Sequence, residues 1–286
     1  MGIAIGLDIG GTKIAGAAFD DGGVQVAESV TATPADYPSF LAACRKVVDA
    51  LGPGSIGVGI PNGAANMPFL VGKDIAADLA RAFGRPVRLG NDANCAALAE
   101  AIDGAGQGYD TVFGLILGTG VGGGFVVNGR MIAGANGTAC EIGHVPLPYY
   151  EPSDGSLVPC GCGQKGCIEQ LLNGAALARL HYELTDDSLT AKNIATMASK
   201  GNKDALATLD RYFTTLAKAM VAILHTFDPD IITVSGGLNA LPAMYDEIPK
   251  RWGQYALAKN PKTKFVPAKH GAMAGLRGAA WLGGQT

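Results

Sequence analysis

The sequence contains one short pattern twice, near its start and again before the middle of the chain. Residues 6–12 read GLDIGGT and are followed closely by AGAAFDDGG, and residues 114–120 read GLILGTG and are followed closely by GGGFVVNGR. Each copy reads as an apolar strand, a Gly/Thr turn, a second apolar strand and a polar turn. Two Gly-rich hairpins can look alike by chance, but a repeat of this length is typical of a duplicated unit. The pattern therefore predicts two related lobes, each opening with a β-hairpin.

Strand patterns followed by helix patterns occur in both halves of the chain. SIGVGIP and IITVSGGL read as buried strands, and DALATLDRYFTTLAKAMVAILHTF reads as a long amphipathic helix. This succession predicts an α/β fold that binds ligands at the strand ends, in a cleft between the lobes. We expect a first lobe over residues 1–117, a second over 118–270, and a C-terminal helix at about 271–286 that returns to the first lobe.

Composition excludes several classes of protein. The 286 residues carry a formal net charge of −3 and no basic run, which argues against nucleic acid as a partner. The N-terminus lacks the basic and apolar regions of a signal peptide, and no apolar run approaches the ~20 residues of a membrane span. We therefore expect a cytoplasmic protein with no membrane partner, in which the thiols are reduced.

Glycine turns are the first candidate ligand sites. DIGGTK exposes backbone N–H groups suited to phosphate oxygens, and Asp8 could hold a hydrated Mg²⁺. The GTG turn and a third turn after IITVS offer further donors. Together they predict a nucleotide cleft. Its candidate residues are Asp8, Gly10, Gly11, Thr12 and Lys13 in the first turn, Gly118, Thr119 and Gly120 in the second, and Gly236 and Gly237 in the third.

Asp92 lies between the strand pattern PVRLG and the helix pattern NCAALAEAI. Phosphoryl transfer to an alcohol needs a base that takes the hydroxyl proton, and a carboxylate at a strand end suits that role. An Asp at this place can equally be the N-cap of the helix. Spacing alone leaves both interpretations open.

Three of the six cysteines fall within PCGCGQKGC. Cys160, Cys162 and Cys167 together with His144 form a donor set that suits tetrahedral zinc. Four protein ligands leave no open position, which predicts a structural metal and excludes a zinc-dependent hydrolase. A redox function would need a CxxC pair in a thioredoxin-like setting, which is absent. A loop fixed by a structural metal would hold Glu169 rigidly, as recognition of a sugar hydroxyl requires.

Taken together, these stretches resemble the ROK family of bacterial sugar kinases and sugar-responsive repressors. The matching motifs are DIGGTK, GNDANCAALAE, ILGTGVGGG, NGTACEIGHVPLP, CGCGQKGCIE, DPDIITVSGG and RGAAWL, spread over nearly the whole chain. The resemblance implies a two-lobed actin/hexokinase-like (ribonuclease H-like) ATPase fold. It also implies ATP-dependent transfer of the γ-phosphoryl group to the primary 6-hydroxyl of a hexose.

The resemblance also assigns roles to residues. Asp92 matches the family's base, and the glycine turns match the phosphate and adenosine sites. His144 and the three cysteines match the zinc ligands. The residues that match sugar contacts are Asn66, Asn91, Glu141, His144 and Glu169. Homodimers are common in the family, so we expect one here.

Two subgroups are matched at once. NGTACEIGHVPLP and AKHG…RGAAWL are similar to fructokinases and mannokinases, whereas AANMP and ILGTGVGGG are similar to N-acetylglucosamine kinases. We expect a hexose kinase of the fructose, mannose or glucose type, with N-acetylglucosamine as the alternative acceptor. A short GIPNGAANMP loop with Asn62 at the usual glycine, and Ala272 where relatives carry Asp, depart from the family pattern.

A sugar-binding sensor that has lost turnover is the alternative of another class. Asp92 and both phosphate turns argue against a sensor, and the two departures argue for it. Family repressors carry a DNA-binding segment ahead of DIGGTK, which here begins at residue 8. We therefore expect an enzyme.

Overall fold

A computed structural model describes residues 2–61 and 67–285. Within these ranges, strands and helices alternate as the apolar patterns predict. The strands are β1 (Ala4–Ile9), β2 (Lys13–Phe19), β3 (Gln25–Ala32), β4 (Ser55–Gly59), β5 (Val87–Gly90), β6 (Thr111–Leu117), β7 (Val121–Val127), β8 (Arg130–Met131), β9 (Ile231–Ser235) and β10 (Lys264–Pro267). The helices are α1 (Tyr37–Leu51), α2 (Ile75–Phe83), α3 (Asp92–Asp103), α4 (Glu169–Leu172), α5 (Gly174–Thr185), α6 (Ala191–Ser199), α7 (Lys203–Thr226), α8 (Met244–Arg251) and α9 (Ala274–Gly283).

The two five-stranded sheets have the same strand order. In the first, β1 is central, with the antiparallel β2 and then β3 on one side and the parallel β4 and then β5 on the other. In the second, β6 is central, with β7 and β8 on one side and the parallel β9 and then β10 on the other. This common order confirms the predicted duplication and the α/β class.

Strand β1 is buried on both faces, and its side chains alternate between two helical layers. Ile5, Leu7 and Ile9 belong to the core cluster formed with α1 and α2. Ala4 belongs to the cluster formed with α9. Because side chains alternate along a strand, Asp8 points to the same face as Ala4, the face covered by α9.

Helix α9 packs backbone to backbone at three glycines. A Cβ on Gly6 of β1 would lie 2.0 Å from the carbonyl oxygen of Leu276, and one on Gly57 of β4 would lie 1.9 Å from that of Ala279. A Cβ on Gly278 of α9 would lie 1.6 Å from the carbonyl oxygen of Cys95 in α3. Helix α9 therefore fixes α3 relative to β1 and β4.

The chain divides into two compact units. Unit 1 comprises residues 1–110, 124–139 and 269–286, and unit 2 comprises residues 111–123 and 140–268. In the part of the chain that the structure describes, no helix combines the length and apolar character needed to cross a bilayer.

We predict that Gly278→Ala destabilises the protein and that Gly275→Ala, in the same helix, does not. The new methyl group at 278 meets a backbone oxygen, and such overpacking costs about 1–3 kcal/mol. At Gly275 the nearest atom to a new Cβ is the Asp92 carbonyl oxygen at 3.9 Å, an ordinary contact. There alanine should be neutral or stabilise by up to ~1 kcal/mol through helix propensity. Urea unfolding of both variants measures the difference, and equal free energies of unfolding would contradict the packing argument.

Candidate active site and metal centre

The first glycine turn joins β1 to β2. Gly10 N–H donates to the carbonyl oxygen of Lys13 at 2.9 Å, which closes the turn. Thr33, just beyond β3, supports it: its Oγ1 donates to the Gly10 carbonyl oxygen at 2.6 Å and its N–H to the Thr12 carbonyl oxygen at 3.1 Å. Gly11, Thr12 and Lys13 are exposed. The turn thus presents backbone amides and one cation to a ligand.

Asn91, and not Asp92, is the N-cap of α3. The Asn91 Oδ1 accepts from the N–H groups of Ala93 at 2.9 Å and Asn94 at 3.3 Å. Asp92 is the first helical residue, and its Oδ1 accepts from the Ala93 N–H at 2.8 Å. The interpretation of Asp92 as the N-cap is therefore wrong. Its carboxylate lies at a helix N-terminus, where the macrodipole favours negative charge.

Asp8 and Asp92 influence each other electrostatically. Burial raises the pKa of Asp8 above its usual range, and the negative charge of Asp92 raises it further, while Lys13 partly opposes the shift. Two carboxylates that repel in a partly buried setting favour a bound cation or proton. Unit 1 therefore brings together the first turn, Asp8, Asn91 and Asp92.

The second glycine turn joins β6 to β7 and contacts Glu169. Gly118 N–H donates to the Gly120 carbonyl oxygen at 2.9 Å. Glu169 Oε2 accepts from the Val121 N–H at 3.1 Å and would lie 2.7 Å from a Cβ on Gly120, so a side chain at residue 120 would displace this carboxylate. One carboxylate oxygen of Glu169 thus holds the turn, which motif reading did not predict.

The third turn follows β9 and lies beside the second. Gly236 has a φ of +88°, and a Cβ there would lie 2.2 Å from the Leu117 carbonyl oxygen, so only glycine fits. An ideal Cβ on Gly118 would be 3.8 Å from the Gly236 Cα. The two turns therefore form one glycine-rich edge of unit 2.

A cavity of about 1230 Å³ opens beside this edge. Gly118, Thr119 and Gly237 form part of its wall. Mostly small and apolar side chains line the rest, among them Ala175 and Ala178 of α5, Ala195 of α6, Leu209 and Phe213 of α7 and Leu241 after β9, together with the polar Lys192, Thr196 and Ser199 of α6. Pockets for small molecules measure about 300–1,000 Å³, so the space admits a nucleotide-sized ligand.

The four predicted metal ligands converge. One donor atom from each of His144, Cys160, Cys162 and Cys167 lies within 4.8 Å of all the others. Cys160 Sγ is 3.5 Å from His144 Nδ1, and Cys162 Sγ is 3.6 Å from Cys167 Sγ. Tetrahedral zinc with bonds of ~2.3 Å to sulfur and ~2.0 Å to nitrogen requires donor separations of about 3.5–3.8 Å. The residues therefore form a Cys/His cluster whose spacing fits a metal ion.

Backbone hydrogen bonds within and across this segment hold the cysteines. Cys160 N–H donates to the Gln164 carbonyl oxygen at 2.8 Å, and Ile168 N–H donates to the Val145 carbonyl oxygen at 2.9 Å. Cys160 and Cys167 are buried, and Cys162 is exposed. Burial, with Cys162 and Cys160 nearby, raises the pKa of Cys167 to about 12. A divalent cation would reverse this shift.

Glu141 precedes and His144 ends a 3₁₀ turn, Ile142–His144, that lies against the start of β7. Gly143 makes this approach possible, because a Cβ there would lie 2.0 Å from the Val121 carbonyl oxygen. Val121 is therefore contacted by both Gly143 and Glu169. Unit 2 thus gathers Glu141, the Cys/His cluster and Glu169. Asn62 and Asn66 lie outside the described residues.

The sequence motifs did not indicate a buried ion pair in unit 2. Lys218 of α7 and Asp154 are 1% and 4% exposed, with Nζ and Oδ2 2.8 Å apart. The sequence held a signal for the lysine, a single charge in the apolar run TTLAKAMVAIL. No signal marked Asp154.

The segment around the departure at Ala272 is fastened to α3. Glu100 accepts from the N–H groups of Lys269 at 2.9 Å and His270 at 2.8 Å. Asp103 accepts from His270 Nε2 at 2.7 Å. Ala272 itself is exposed in a 3₁₀ turn.

Comparison with known proteins identifies the family. The ROK family model matches residues 4–286. The chain belongs to the ROK family. The predicted family is therefore confirmed over nearly the full length of the chain.

Individual relatives are sugar kinases. The N-acetyl-D-glucosamine kinase of Escherichia coli O6:H1 is 41% identical over 97% of this chain and 98% of its own length. The structure of the ROK hexokinase from Thermus thermophilus is 31% identical with a TM-score of 0.82, over 98% of this chain and 97% of that one. A ROK family glucokinase from Streptomyces griseus, in complex with glucose and AMPPNP, is 30% identical with a TM-score of 0.73, over 98% of both chains. The predicted hexokinase-like fold is confirmed.

We predict that Asp92→Asn lowers the pKa of Asp8. Removing a neighbouring negative charge makes ionisation of Asp8 easier, while its burial is unchanged. A ¹³C NMR titration of the Asp8 carboxyl carbon measures the shift. Asp49→Asn, on the exposed side of α1, is the matched control and should leave this pKa unchanged. An Asp8 titration that is identical in the wild type and Asp92→Asn would contradict the coupling.

Proposed function

We propose that this chain is an ATP-dependent hexose kinase that transfers the γ-phosphoryl group to the 6-hydroxyl, and that N-acetylglucosamine is its preferred acceptor. The 41% identity to an N-acetyl-D-glucosamine kinase over 97% of the chain carries the choice of sugar. The fructokinase-like and mannokinase-like stretches make fructose, mannose and glucose the competing acceptors. We further propose that the two compact units correspond to the two lobes of the kinase.

Asp92 is the proposed general base. Its carboxylate takes the proton of the sugar 6-hydroxyl as that oxygen forms a bond to the γ-phosphorus, and the bond from this phosphorus to the bridging oxygen of ADP breaks. The N-cap role belongs to Asn91, which supports this proposal because Asp92 is not required to cap α3.

Four described residues are the proposed sugar contacts. Asn91 uses its Oδ1 in the cap, so its amide nitrogen would be the group that donates to a sugar oxygen. Glu169 uses Oε2 to accept from Val121, whereas Oε1 has longer contacts, at 3.5 Å from Gln170 Nε2 and 4.0 Å from Cys160 Sγ. Oε1 would therefore accept from a sugar hydroxyl. Glu141 and His144 complete the set, and a contact from Asn66 stays a prediction.

The cavity of unit 2 is the proposed nucleoside site. Its mostly apolar walls suit a base, and the adjoining amides of Thr119 and Gly237 suit phosphate oxygens. We propose that the turn at residues 10–13 contributes further phosphate contacts and that Asp8 holds Mg²⁺. A bound Mg²⁺ would supply positive charge that neutralises the phosphates and Asp8 alike.

The nucleotide-sized cavity favours a kinase over a sugar sensor without turnover. A sensor needs only a sugar site, whereas the cavity beside two glycine turns has the composition and size for a second ligand. A homodimer and a cytoplasmic location stay predictions.

The proposed metal is zinc. A set of three sulfurs and one imidazole suits Zn²⁺ and fills its four positions, so the ion would hold the loop without activating water. Bound there, it would fix the segment that ends at Glu169.

We predict that the purified chain consumes ATP with N-acetylglucosamine and does so with a higher kcat/KM than with glucose, mannose or fructose. A coupled ADP-release assay across the four sugars measures this. Asp92→Asn should lower kcat by about 10²–10⁴-fold, as expected for loss of a general base, while the sugar Kd from calorimetry stays within about twofold. ADP release with none of the sugars would contradict a kinase function, and equal loss of binding and turnover would contradict the role of Asp92.

We predict one zinc ion per chain, measured by atomic emission after dialysis. Cys162→Ser should lose the metal, lower Tm and weaken sugar binding, because the segment that ends at Glu169 would be released. Cys44→Ala alters a buried thiol of unit 1 outside the cluster and should keep a full complement of zinc. A Cys162→Ser protein without metal but with normal sugar affinity would show that the cluster does not position Glu169.

A further inference from the structure

The chain between His144 and Cys160 depends on outside contacts for its position. It contains one 3₁₀ turn, Pro152–Asp154, and no strand. The turn closes on itself, since the Glu151 N–H donates to Asp154 Oδ2 at 2.7 Å and the Asp154 N–H donates to the Glu151 carbonyl oxygen at 2.8 Å. These bonds shape the turn but do not attach it to the rest of unit 2.

Lys218 attaches it. The Lys218 Nζ lies 2.8 and 3.1 Å from the two carboxylate oxygens of Asp154 and 3.1 Å from Glu151 Oε2. Thr215, three residues earlier on α7, places Oγ1 2.9 Å from Asp154 Oδ1. Burial alone would lower the pKa of Lys218, but the hydrogen bonds with Asp154 and Glu151 raise it above its usual value. The pair is therefore a charged one. Without Lys218 the buried Asp154 carboxylate would lose this cation, and without Asp154 the buried ammonium would keep only the Glu151 carboxylate.

Helix α7 also contacts the C-terminal end of the segment that contains the three cysteines. The buried Tyr212 hydroxyl donates to the carbonyl oxygen of Leu172 at 2.8 Å, and Leu172 ends α4, which begins with Glu169. Tyr212, Thr215 and Lys218 follow one another at three-residue intervals on α7. They hold both ends of residues 151–172, the segment that contains the three cysteines and Glu169.

We propose that Lys218 is a positioning residue for sugar binding, which acts through Asp154 on the segment that carries the metal ligands and Glu169. The proposal rests on the sugar kinase function proposed above. Without the ammonium group, the Asp154 carboxylate cannot stay buried at low cost, so its turn must move and the attached segment with it. Leu209 and Phe213 of α7 line the nucleotide cavity but take no part in the ion pair, so ATP binding should change little.

Four variants test this: Lys218→Met, Asp154→Asn, the two combined, and Lys203→Met as a control at the exposed start of α7. Each single change should raise the KM for sugar by about tenfold or more and leave the KM for ATP within about twofold. Each should also lower the zinc retained after dialysis. The combined variant removes both buried charges, and its amide still accepts from the Glu151 N–H, so its KM for sugar and its zinc should return close to the wild-type values. The control should match wild type.

Three results would overturn the proposal. They are a folded Lys218→Met protein with an unchanged KM for sugar, equal rises in the two KM values, and a combined variant no better than the single ones. If Lys218→Met does not fold, Thr215→Val replaces it as the test variant. This change removes one hydrogen bond from Asp154 without leaving a charge unpaired. A wild-type KM for sugar in Thr215→Val would then overturn the proposal. If the wild-type chain phosphorylates no sugar, the proposed function fails, and zinc retention still decides the role of Lys218.

Discussion

Helix α9 lies so close to β1, β4 and α3 that at three points no side chain fits between their backbones. Gly6 and Gly57 face the helix from the sheet, and Gly278 faces α3 from the helix, each at a point where a methyl group would overlap a carbonyl oxygen. The N-terminus of α3 carries Asp92, and the end of β1 carries Asp8. The electrostatic influence of Asp92 on Asp8 therefore depends on the distance between α3 and β1, which the three glycines set. Much of unit 1 depends on the same packing of α9.

In unit 2, polar contacts rather than close backbone packing position the candidate site residues. Its candidate sugar and metal residues lie on a segment with little regular structure, so packing of side chains alone cannot fix them. Val121 of β7 and the residues Lys218 and Tyr212 of α7 form hydrogen bonds with this segment. The Cys/His cluster brings its three cysteines together. Because each contact constrains a different part of the segment, their effects on Glu169 should reinforce one another.

The features that could be predicted from sequence are those encoded locally. Apolar periodicity located the strands and helices, and the glycine that ends α2 was recognisable as a cap: Gly84 is in the left-handed region with a φ of +65°. The members of the Cys/His cluster were recognisable because donor chemistry and short spacing coincide. Gly6 and Gly57 were not recognised as contact points, because the sequence does not reveal which part of the fold packs against a glycine. The cap of α3 differed by one residue, because Asn and Asp both suit that position. The pairing of Asp154 with Lys218 joins positions 64 residues apart and follows only from the tertiary fold.

The charged residues around Lys218 in unit 2 and around Asp8 in unit 1 differ in their electrostatics. In unit 2, the charge of Lys218 is balanced within the chain by Asp154 and Glu151, so the cluster is complete without a ligand. In unit 1, Asp8 is partly buried beside a second carboxylate, and Lys13 compensates only in part, so its pKa stays raised. A bound cation would lower the pKa of Asp8, so its raised value in the free protein fits the proposal that Asp8 holds Mg²⁺. The charges around Lys218 hold the fold in place instead.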